Sequence, residues 1–390
     1  MIYLDAAATT PVRREVLEAM WPYLTGEFGN ASSHHELGAR ARDGLERARA
    51  EVAEVLGCRP SEVTFTSGGT EADNLAVKGI ALGRMMLGRH AAAADRNRVV
   101  VSAIEHPAVL ESARALARLH GFAVDELPVD ATGRVAPEAL AAVVGPETAL
   151  VSIMYANNEV GTVQPIDELA AAARAAGVPF HTDAVQAAGW LPLDVRKLGV
   201  DALSISGHKL GAPKGVGALY AARRLAVETV IDGGGQERGL RSGTENVAGA
   251  VALATALRLA DAERTTAAAR LAGLRDAFVA RVLELVPDAV LTGHPTDRLP
   301  GSASFCFPRV SGESVLLELE RRGVVCSSGS ACAAGSSDPS HVLLAMGLEP
   351  IVAQTAVRFT LPASITAEDL EEAAAALGEA YAAVTGIAHR

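Results

Sequence analysis

Short apolar runs alternate with amphipathic stretches along the first two thirds of the chain. Continuous runs rich in Val, Ile and Leu are typical of strands buried on both faces, and they occur at 62–66, 98–106, 149–158, 178–184, 202–208 and 216–222. Helical spacing separates several of them, at 71–82, at 108–121 and at about 167–176. Strands joined by helices predict an α/β fold whose parallel sheet is covered on both faces.

The pattern changes after about residue 260. It predicts a long helix rich in Ala, Arg and Leu at roughly 246–286, a helix at 313–322 and a last helical run near the C-terminus. We expect a smaller α+β lobe here. The predicted large domain comprises 15–260, and the predicted small domain comprises 1–14 and 261–390. The stretch 87–97 is interpreted as a surface insert of low complexity.

Composition and charge limit the possible partners. Of the 390 residues, 49% are hydrophobic and 21% charged, so the chain is expected to be globular, and its length favours two lobes over one. The net charge of −11 argues against nucleic acid or an anionic membrane as a partner. The N-terminus does not resemble a secretory signal, and apolar runs stop well short of the roughly 20 residues of a membrane span. We therefore expect a cytoplasmic protein.

The four cysteines, at 58, 306, 326 and 332, include no CxxC pair, so no metal site is expected. Cys332 lies in a segment made almost entirely of small residues, 327–340, which is expected to be a mobile loop. A cysteine there is a poor choice for packing, and Cys332 is therefore the candidate reactive thiol. We interpret Cys306, Cys326 and Cys58 as structural thiols.

Polar residues follow the predicted strands at the point where each strand ends. In open α/β sheets ligands bind beyond the carboxyl ends of strands, so these residues are expected to converge. They are Gly68, Gly69 and Thr70; His106; Asn158; Asp183 and Gln186; and Ser206, His208 and Lys209.

Each of these features is weak evidence when taken alone. The Gly-rich turn at 66–71 can cradle a phosphate at a helix N-terminus or be an ordinary turn, and Asp183 can be a helix cap. Lys209 changes this balance, because a lysine directly after an apolar strand can form a Schiff base with a carbonyl. Pyridoxal phosphate requires such a lysine, a carboxylate for its ring nitrogen, a phosphate cradle and a group that stacks on its ring, for which His106 is the candidate. All four are present, and together they predict a pyridoxal phosphate site.

The chain resembles the cysteine desulfurases of the NifS/IscS type, in the class V aminotransferase group. The resemblance runs nearly from end to end, and its most specific motifs are SGHK at 206–209 and SGSAC at 328–332. Other matching segments are YLDAAATTPV at 3–12, TSGGTEADN at 66–74, NNEVGTVQPI at 157–166, HTDAVQAAG at 181–189, GLRSGTEN at 239–246 and VRFTL at 357–361. Gly69 stands where the family often has Ala, a change that touches no reactive side chain.

The resemblance implies a homodimer with the fold type I architecture of pyridoxal phosphate enzymes. The large domain then has a mostly parallel seven-stranded sheet, and the small α+β domain carries the cysteine loop. The resemblance also implies the role of each site residue. Lys209 is matched to the Schiff-base lysine, Asp183 to the partner of the ring nitrogen, Gln186 to the group near the ring hydroxyl, and His106 to the stacking and proton-shuttling histidine. The residues matched to the phosphate binders are Gly69, Thr70, Ser206 and His208, and Thr244 is matched to a phosphate contact given to the neighbouring subunit. Asn158 and Arg358 are matched to the groups that hold the substrate carboxylate, and Cys332 is matched to the catalytic cysteine.

The predicted function is conversion of L-cysteine to L-alanine with a transient persulfide on Cys332. The sulfur would pass to an acceptor protein for iron–sulfur cluster assembly or for thiolation of transfer RNA or a cofactor. A selenocysteine lyase, or another class V lyase or transaminase, is the alternative enzyme. A scaffold that binds a sulfur carrier without catalysis is a third hypothesis. The SGSAC segment argues against the alternative enzymes, and the intact set of Lys209, Asp183 and Cys332 argues against the scaffold.

Overall fold

The computed structural model describes residues 1–90, 96–328 and 338–388. Parts of the predicted insert at 87–97 and of the small-residue segment at 327–340 lie outside these residues, and so does Cys332. Within the described ranges, no helix is long and apolar enough to cross a membrane.

The strands belong to one large sheet and two small ones. Numbered along the chain, they are β1 (Ile2–Tyr3), β2 (Val63–Thr66), β3 (Arg98–Ser102), β4 (Ala123–Leu127), β5 (Thr148–Ser152), β6 (Phe180–Asp183), β7 (Ala202–Ser206), β8 (Gly217–Ala221), β9 (Val290–Leu291), β10 (Ser302–Cys306), β11 (Val324–Val325) and β12 (Ala356–Thr360). The large sheet has seven strands in the order β2-β8-β7-β6-β5-β3-β4. Its β8 runs antiparallel to β7 and β2, whereas the pairs from β7 to β4 are parallel. The predicted mostly parallel seven-stranded sheet is confirmed.

Some helices cover the large sheet and connect its strands, and others pack against the three-stranded sheet. They are α1 (Arg14–Thr25), α2 (Glu36–Leu56), α3 (Gly69–Asn74), α4 (Ile80–His90), α5 (Pro107–His120), α6 (Pro137–Val143), α7 (Ile166–Ala175), α8 (Val195–Leu198), α9 (Val247–Leu285), α10 (Gly312–Arg321), α11 (His341–Ala345), α12 (Pro350–Ala353) and α13 (Ala367–Ala388). A π-helical turn, Leu75–Gly79, joins α3 to α4. Alternate residues of β3 enter different cores, with Val100 in one and Val99 and Val101 in another. The sheet is therefore buried on both faces, as the continuous apolar runs predict.

The 39-residue helix α9 serves two hydrophobic cores. Its first turns, including Leu253 and Leu257, pack in the core of the large sheet. Its later turns, including Phe278, pack with the three-stranded sheet β12-β10-β9 and with Ile2 and Leu4 from the N-terminus. One long helix thus ties the two predicted lobes together, and the division of the chain at residue 260 stays a prediction.

Two sequence-based strand boundaries require correction, and one strand was missed. β3 ends at Ser102 and not at 106, because the Ser102 hydroxyl donates to the Glu105 carboxylate in a turn and His106 then caps α5. β5 ends at Ser152 and not at 158, and the side chain of the buried Asn157 organises the turn that follows. The edge strand β4 was not predicted individually, since its pattern is mostly polar or half-exposed.

Candidate active site

The ends of three neighbouring elements meet beyond the large sheet. Asp183 is the last residue of β6, Ser206 is the last residue of β7, and Gly69 begins α3 after β2. A Cβ atom added to Gly69 would lie 2.7 Å from Cγ2 of Val185 and 3.3 Å from Cβ of Ser206. A Cβ atom at position 69 would require the Val185 side chain to shift, so the backbone of the Gly-rich turn lies close to these strand ends.

The Gly-rich turn is held by Glu71. Its carboxylate accepts a hydrogen bond from the main-chain N–H of Ser67 at 2.9 Å and another from Nε of Arg241 at 2.7 Å. The second bond joins the turn to the segment that contains Thr244. Both Thr70 and Thr244 are exposed. Thr70 directly follows Gly69 of the predicted cradle, and Thr244 lies on the segment that Arg241 bonds to the Gly-rich turn.

Lys209 ends a short 3-10 turn, Gly207–Lys209, that directly follows β7. Its Nζ donates to the main-chain carbonyl oxygens of Ala7 and Ala8, the latter at 2.7 Å. Nδ1 of the adjacent His208 lies 3.2 Å from Oγ1 of Thr9. Burial, together with the nearby lysine charges, lowers the pKa of His208 to about 4, so its imidazole is neutral at neutral pH.

Asp183, His106 and Lys209 interact electrostatically. Burial raises the pKa of Asp183, while the positive charges of His106 and Lys209 act in the opposite direction. Burial lowers the pKa of His106, whose Nδ1 accepts from the main-chain N–H of Ala108 at 3.1 Å. Oδ1 of Asp183 accepts from the N–H of Val185 at 2.8 Å, which fixes the carboxylate. The structure thus brings together the amine, the carboxylate and the imidazole that the sequence predicts.

A layer of buried ionisable groups lies near Asp183, and the sequence analysis missed it. Burial raises the pKa of Asp73, and it raises the pKa of Glu105 to about 8. The charge of the neighbouring Asp183 raises both pKa values further. The fully buried His181, two residues before Asp183 on β6, has its pKa lowered to about 3 by burial. Its ring nitrogens lie 2.8 Å from Oγ of Ser152 and 2.9 Å from Oγ of Ser204. The sequence signal for this layer was the presence of polar residues, such as His181, inside a buried strand.

The remaining predicted residues approach from other elements. Arg358 lies in the middle of β12 and its side chain is 3% exposed. Its Nη1 donates to the main-chain oxygen of Asn158 at 2.9 Å, and its Nη2 donates to Oδ1 of Asp5 at 2.8 Å. Gln186 donates from Nε2 to the main-chain oxygen of Ala7 at 3.1 Å, which is also a partner of Lys209. The N-terminal segment 5–10 therefore contacts Arg358, Gln186, His208 and Lys209, a role that the sequence analysis did not assign to it.

The cysteines inside the described ranges are poor nucleophiles. Burial, the first cause in each case, raises the pKa of Cys58 and of Cys326 to about 12 and that of Cys306 to about 11. A thiol reacts as its thiolate, so these three are unreactive at neutral pH. The interpretation of Cys58, Cys306 and Cys326 as structural thiols is consistent with this chemistry.

The residues that meet at this site suit organic chemistry on an amine and a carboxylate. They offer a primary amine, a fixed carboxylate, an imidazole and a buried guanidinium. No group of three or more His, Cys, Asp or Glu side chains able to hold a metal ion occurs in the part of the chain that the structure describes. A lysine amine beside a Gly-rich turn and a carboxylate is the donor set that an aldehyde cofactor with a phosphate and a ring nitrogen requires.

Comparison with known proteins identifies the family. The family described as aminotransferase class V matches residues 2–372. The chain belongs to the class V aminotransferase family. The cysteine desulfurase IscS of Dictyoglomus turgidum is 46% identical to this class V protein over 95% of the chain and 91% of the relative.

Solved structures agree with this assignment. A NifS-like protein superposes with a TM-score of 0.88 at 37% identity, over 97% of this chain and 98% of the other. A structure described as SspA in complex with cysteine superposes with a TM-score of 0.79 at 35% identity, over 93% of this chain and 99% of the other. The family and the fold class predicted from the sequence are confirmed.

Proposed function

We propose that this class V protein is a pyridoxal phosphate-dependent cysteine desulfurase that transfers sulfur from L-cysteine to Cys332. The observation that carries the proposal is the meeting of Lys209, Asp183 and His106 beside the Gly-rich turn. The proposal is further supported by relatives of nearly equal length that are named cysteine desulfurase.

The residues present fit the cofactor. The backbone at Gly69 lies close to Ser206 and Val185, at the start of α3, where a helix N-terminus can bind a phosphate. Asp183 is buried in a fixed orientation, which suits a carboxylate that holds a protonated ring nitrogen. Ser206 and the neutral His208 would donate hydrogen bonds to the phosphate. Gln186 would lie near the ring hydroxyl and His106 against the ring.

The bound cofactor would supply an aldehyde for the amine and a ring that withdraws electrons from the substrate's α-carbon. Lys209 would be its covalent anchor. When the amine of Lys209 is not bonded to the cofactor, the carbonyl oxygens of Ala7 and Ala8 would accept its hydrogen bonds and hold it nearby. Asp183 would keep the ring nitrogen protonated, and His106 would hold or move protons at the substrate.

Arg358 and Asn158 would hold the substrate carboxylate, and the thiolate of Cys332 would attack the substrate sulfur. An S–S bond forms while the C–S bond of the substrate breaks and leaves its electron pair on carbon, which takes up a proton. The products are L-alanine and a Cys332 persulfide, so every atom of L-cysteine and of the thiol is accounted for. A thiol is needed because a serine hydroxyl is far less acidic and cannot carry the sulfur.

The proposal extends to partners. The persulfide sulfur would pass to an acceptor protein, and two copies of the chain would form a homodimer in which Thr244 reaches the phosphate of the neighbouring subunit. The exposure of Thr244, and the Glu71–Arg241 bond that fixes its segment, support this placement. A cytoplasmic location stays a prediction from the sequence.

The test compares Cys332→Ser with Cys326→Ser. We expect Cys332→Ser to bind the cofactor and L-cysteine but to form alanine at a small fraction of the parent rate. Mass spectrometry after exposure to cysteine should find added sulfur on Cys332 in the parent protein and in Cys326→Ser. Cys326 is the matched control because it lies six residues away and burial raises the pKa of its thiol.

Release of alanine by Cys332→Ser at the parent rate would contradict the proposal. It would favour a selenocysteine lyase or another class V lyase, in which the cysteine is dispensable. If the parent protein binds cofactor but converts no cysteine, a non-catalytic scaffold becomes the better explanation.

A further inference from the structure

The guanidinium of Arg358 is buried with donors to spare. Its two observed bonds, to the Asn158 carbonyl oxygen and to Asp5, use one N–H of each Nη atom. Nε is buried and has no hydrogen-bond partner among the residues that the structure describes. A guanidinium has five N–H donors, and burying unused donors of a cation is costly. The unused N–H donors of Arg358 can therefore bind an anionic ligand.

Asp5 is placed by the main chain around it. Asp5 forms a β-bridge with Thr360, two residues after Arg358 on β12. The N–H of Ala6 donates to the Thr360 carbonyl oxygen at 3.1 Å, and the N–H of Ala7 donates to Oγ1 of Thr360 at 2.9 Å. The hydroxyl of Tyr3 donates to the Asp5 carbonyl oxygen at 2.9 Å. The Asp5 carboxylate is therefore held beside Arg358 by a rigid backbone on each side.

Two acceptors on separate Nη atoms fix the plane of the guanidinium. With Nη1 held by Asn158 and Nη2 by Asp5, rotation about the last bonds of the Arg358 side chain would break at least one hydrogen bond. A long arginine otherwise loses substantial rotamer entropy when it binds a ligand, and a fixed one has already lost it. Preorganisation therefore favours binding of a carboxylate.

We propose that Asp5 is a positioning residue for Arg358, which it holds in the orientation that binds the carboxylate of the amino-acid substrate. The inference rests on the proposed function, because it takes Arg358 as the carboxylate-binding residue. The same strand also pairs with Ser327, whose N–H and carbonyl oxygen bond the main chain of Arg358. Asp5 would thus orient the substrate next to the start of the segment that contains Cys332.

The test compares Asp5→Ala with Asp5→Asn. The alanine removes the acceptor for Nη2, whereas the amide oxygen of asparagine can still accept from it. We expect Asp5→Ala to raise KM for L-cysteine about tenfold with kcat changed less than about twofold, the size expected for one lost hydrogen bond to a charged group. Asp5→Asn should recover most of the affinity.

A second readout does not depend on the loaded enzyme. Calorimetric binding of 3-mercaptopropionate, which keeps the carboxylate and thiol of cysteine but lacks its amine, should weaken by a similar factor in Asp5→Ala apoprotein. Asp297→Asn is the matched control. It alters another arginine–carboxylate pair, Arg134–Asp297, which does not line the cavity beside Lys209 and Gln186, and should leave both readouts unchanged. Unfolding temperature and cofactor absorbance verify that each variant is folded.

Arg358→Ala separates the two levels of the proposal. If Arg358→Ala leaves KM and probe binding unchanged, the carboxylate role of Arg358 in the proposed function fails. If Arg358→Ala weakens binding but Asp5→Ala does not, only the positioning role of Asp5 fails. A lower KM in Asp5→Ala would show that Asp5 competes with the substrate and would also overturn the inference. In the Arg358→Ala background, Asp5→Ala should have no further effect, because it acts through the missing guanidinium.

Discussion

The large sheet and the three-stranded sheet contribute to the candidate site in different ways. The large sheet contributes residues where strands stop, with Asp183 closing β6 and Ser206 closing β7. The three-stranded sheet contributes Arg358 from the middle of β12, where a side chain is placed by its pairing with β10 and with residues near the N-terminus. Strand ends of a parallel sheet converge whatever their sequence, whereas a residue in mid-strand reaches a site only through tertiary contacts.

The two regions also differ in how they treat charge. Near the strand ends, burial raises the pKa of Asp73 and of Glu105, and the charge of Asp183 raises both further. In the three-stranded sheet, the cation of Arg358 is paired directly with Asp5. A ligand with a positive charge is therefore favoured at the strand ends. A ligand with a carboxylate is favoured beside Arg358 in the three-stranded sheet. An amino acid bound to a cofactor with a protonated ring nitrogen supplies both.

The largest expected effect is that of Lys209→Ala at the strand ends. The variant lacks the amine that would anchor the cofactor, so turnover of L-cysteine should fall by more than about 10³-fold. The absorption band of lysine-bound cofactor should be missing. Lys214→Ala, which removes a nearby lysine five residues later, is the control and should keep both. Survival of the lysine-bound band in Lys209→Ala would place the anchor elsewhere.

Asp183→Asn should have the second largest effect. The amide can keep the bond from the Val185 N–H but cannot hold a proton on a ring nitrogen. We expect kcat to fall by about 10² to 10³, the loss typical of one removed electrostatic contact at a reacting centre. Asp73→Asn changes an equally buried carboxyl outside the predicted contacts and should lose far less. Equal losses in the two variants would mean that the buried layer acts as a unit.

The contrast between the two regions also explains what could be predicted from the sequence. The parallel sheet, the helix from about 246 to 286 and the residues at strand ends follow from local patterns, since buried strands and their polar ends are adjacent in sequence. Arg358 was assigned only by resemblance, because an arginine in an apolar strand has no local signature. Asp5 was missed because its partner lies 353 residues away. The buried His181 and Asp73 were missed because their polarity is meaningful only once the layer around them is known.

Glu105→Gln should change how stability depends on pH. Burial raises the pKa of Glu105 from 4.5 to about 8 in the folded chain. Between these values the unfolded chain has lost the proton and the folded chain retains it, so stability falls as pH rises, and the penalty is constant above about pH 8. Glutamine carries no such penalty, and its oxygen can still accept from Ser102 and from the Met154 N–H.

The measurement is the unfolding temperature of the apoprotein at several pH values. The Tm of Glu105→Gln minus that of the parent should increase from about pH 5 to about pH 8 and then level off. The exposed Glu111→Gln is the control and should show a flat difference. A flat difference for Glu105→Gln would mean that the group ionises in its ordinary range, and the contrast in charge between the two regions would then be small.

The smallest effect is expected for Ser340→Ala, at the far side of the segment that contains Cys332. The Ser340 hydroxyl donates to Oε2 of the buried Glu159 at 2.5 Å and accepts from the N–H of Leu343, so it caps α11. Losing a helix cap costs about 1 kcal/mol, which lowers Tm by about 2 °C in a chain of this size. Ser311→Ala removes the cap of α10 and is the matched control, because no carboxylate among the described residues bonds the Ser311 hydroxyl. We expect Ser340→Ala to lower Tm more than Ser311→Ala, because it also leaves a buried Glu159 oxygen without its donor.

Cofactor absorbance should be unchanged in both. If Ser340→Ala weakened cofactor binding, the region around β12 and α11 would be coupled to the strand ends, and the two regions could not be treated as independent parts of the site.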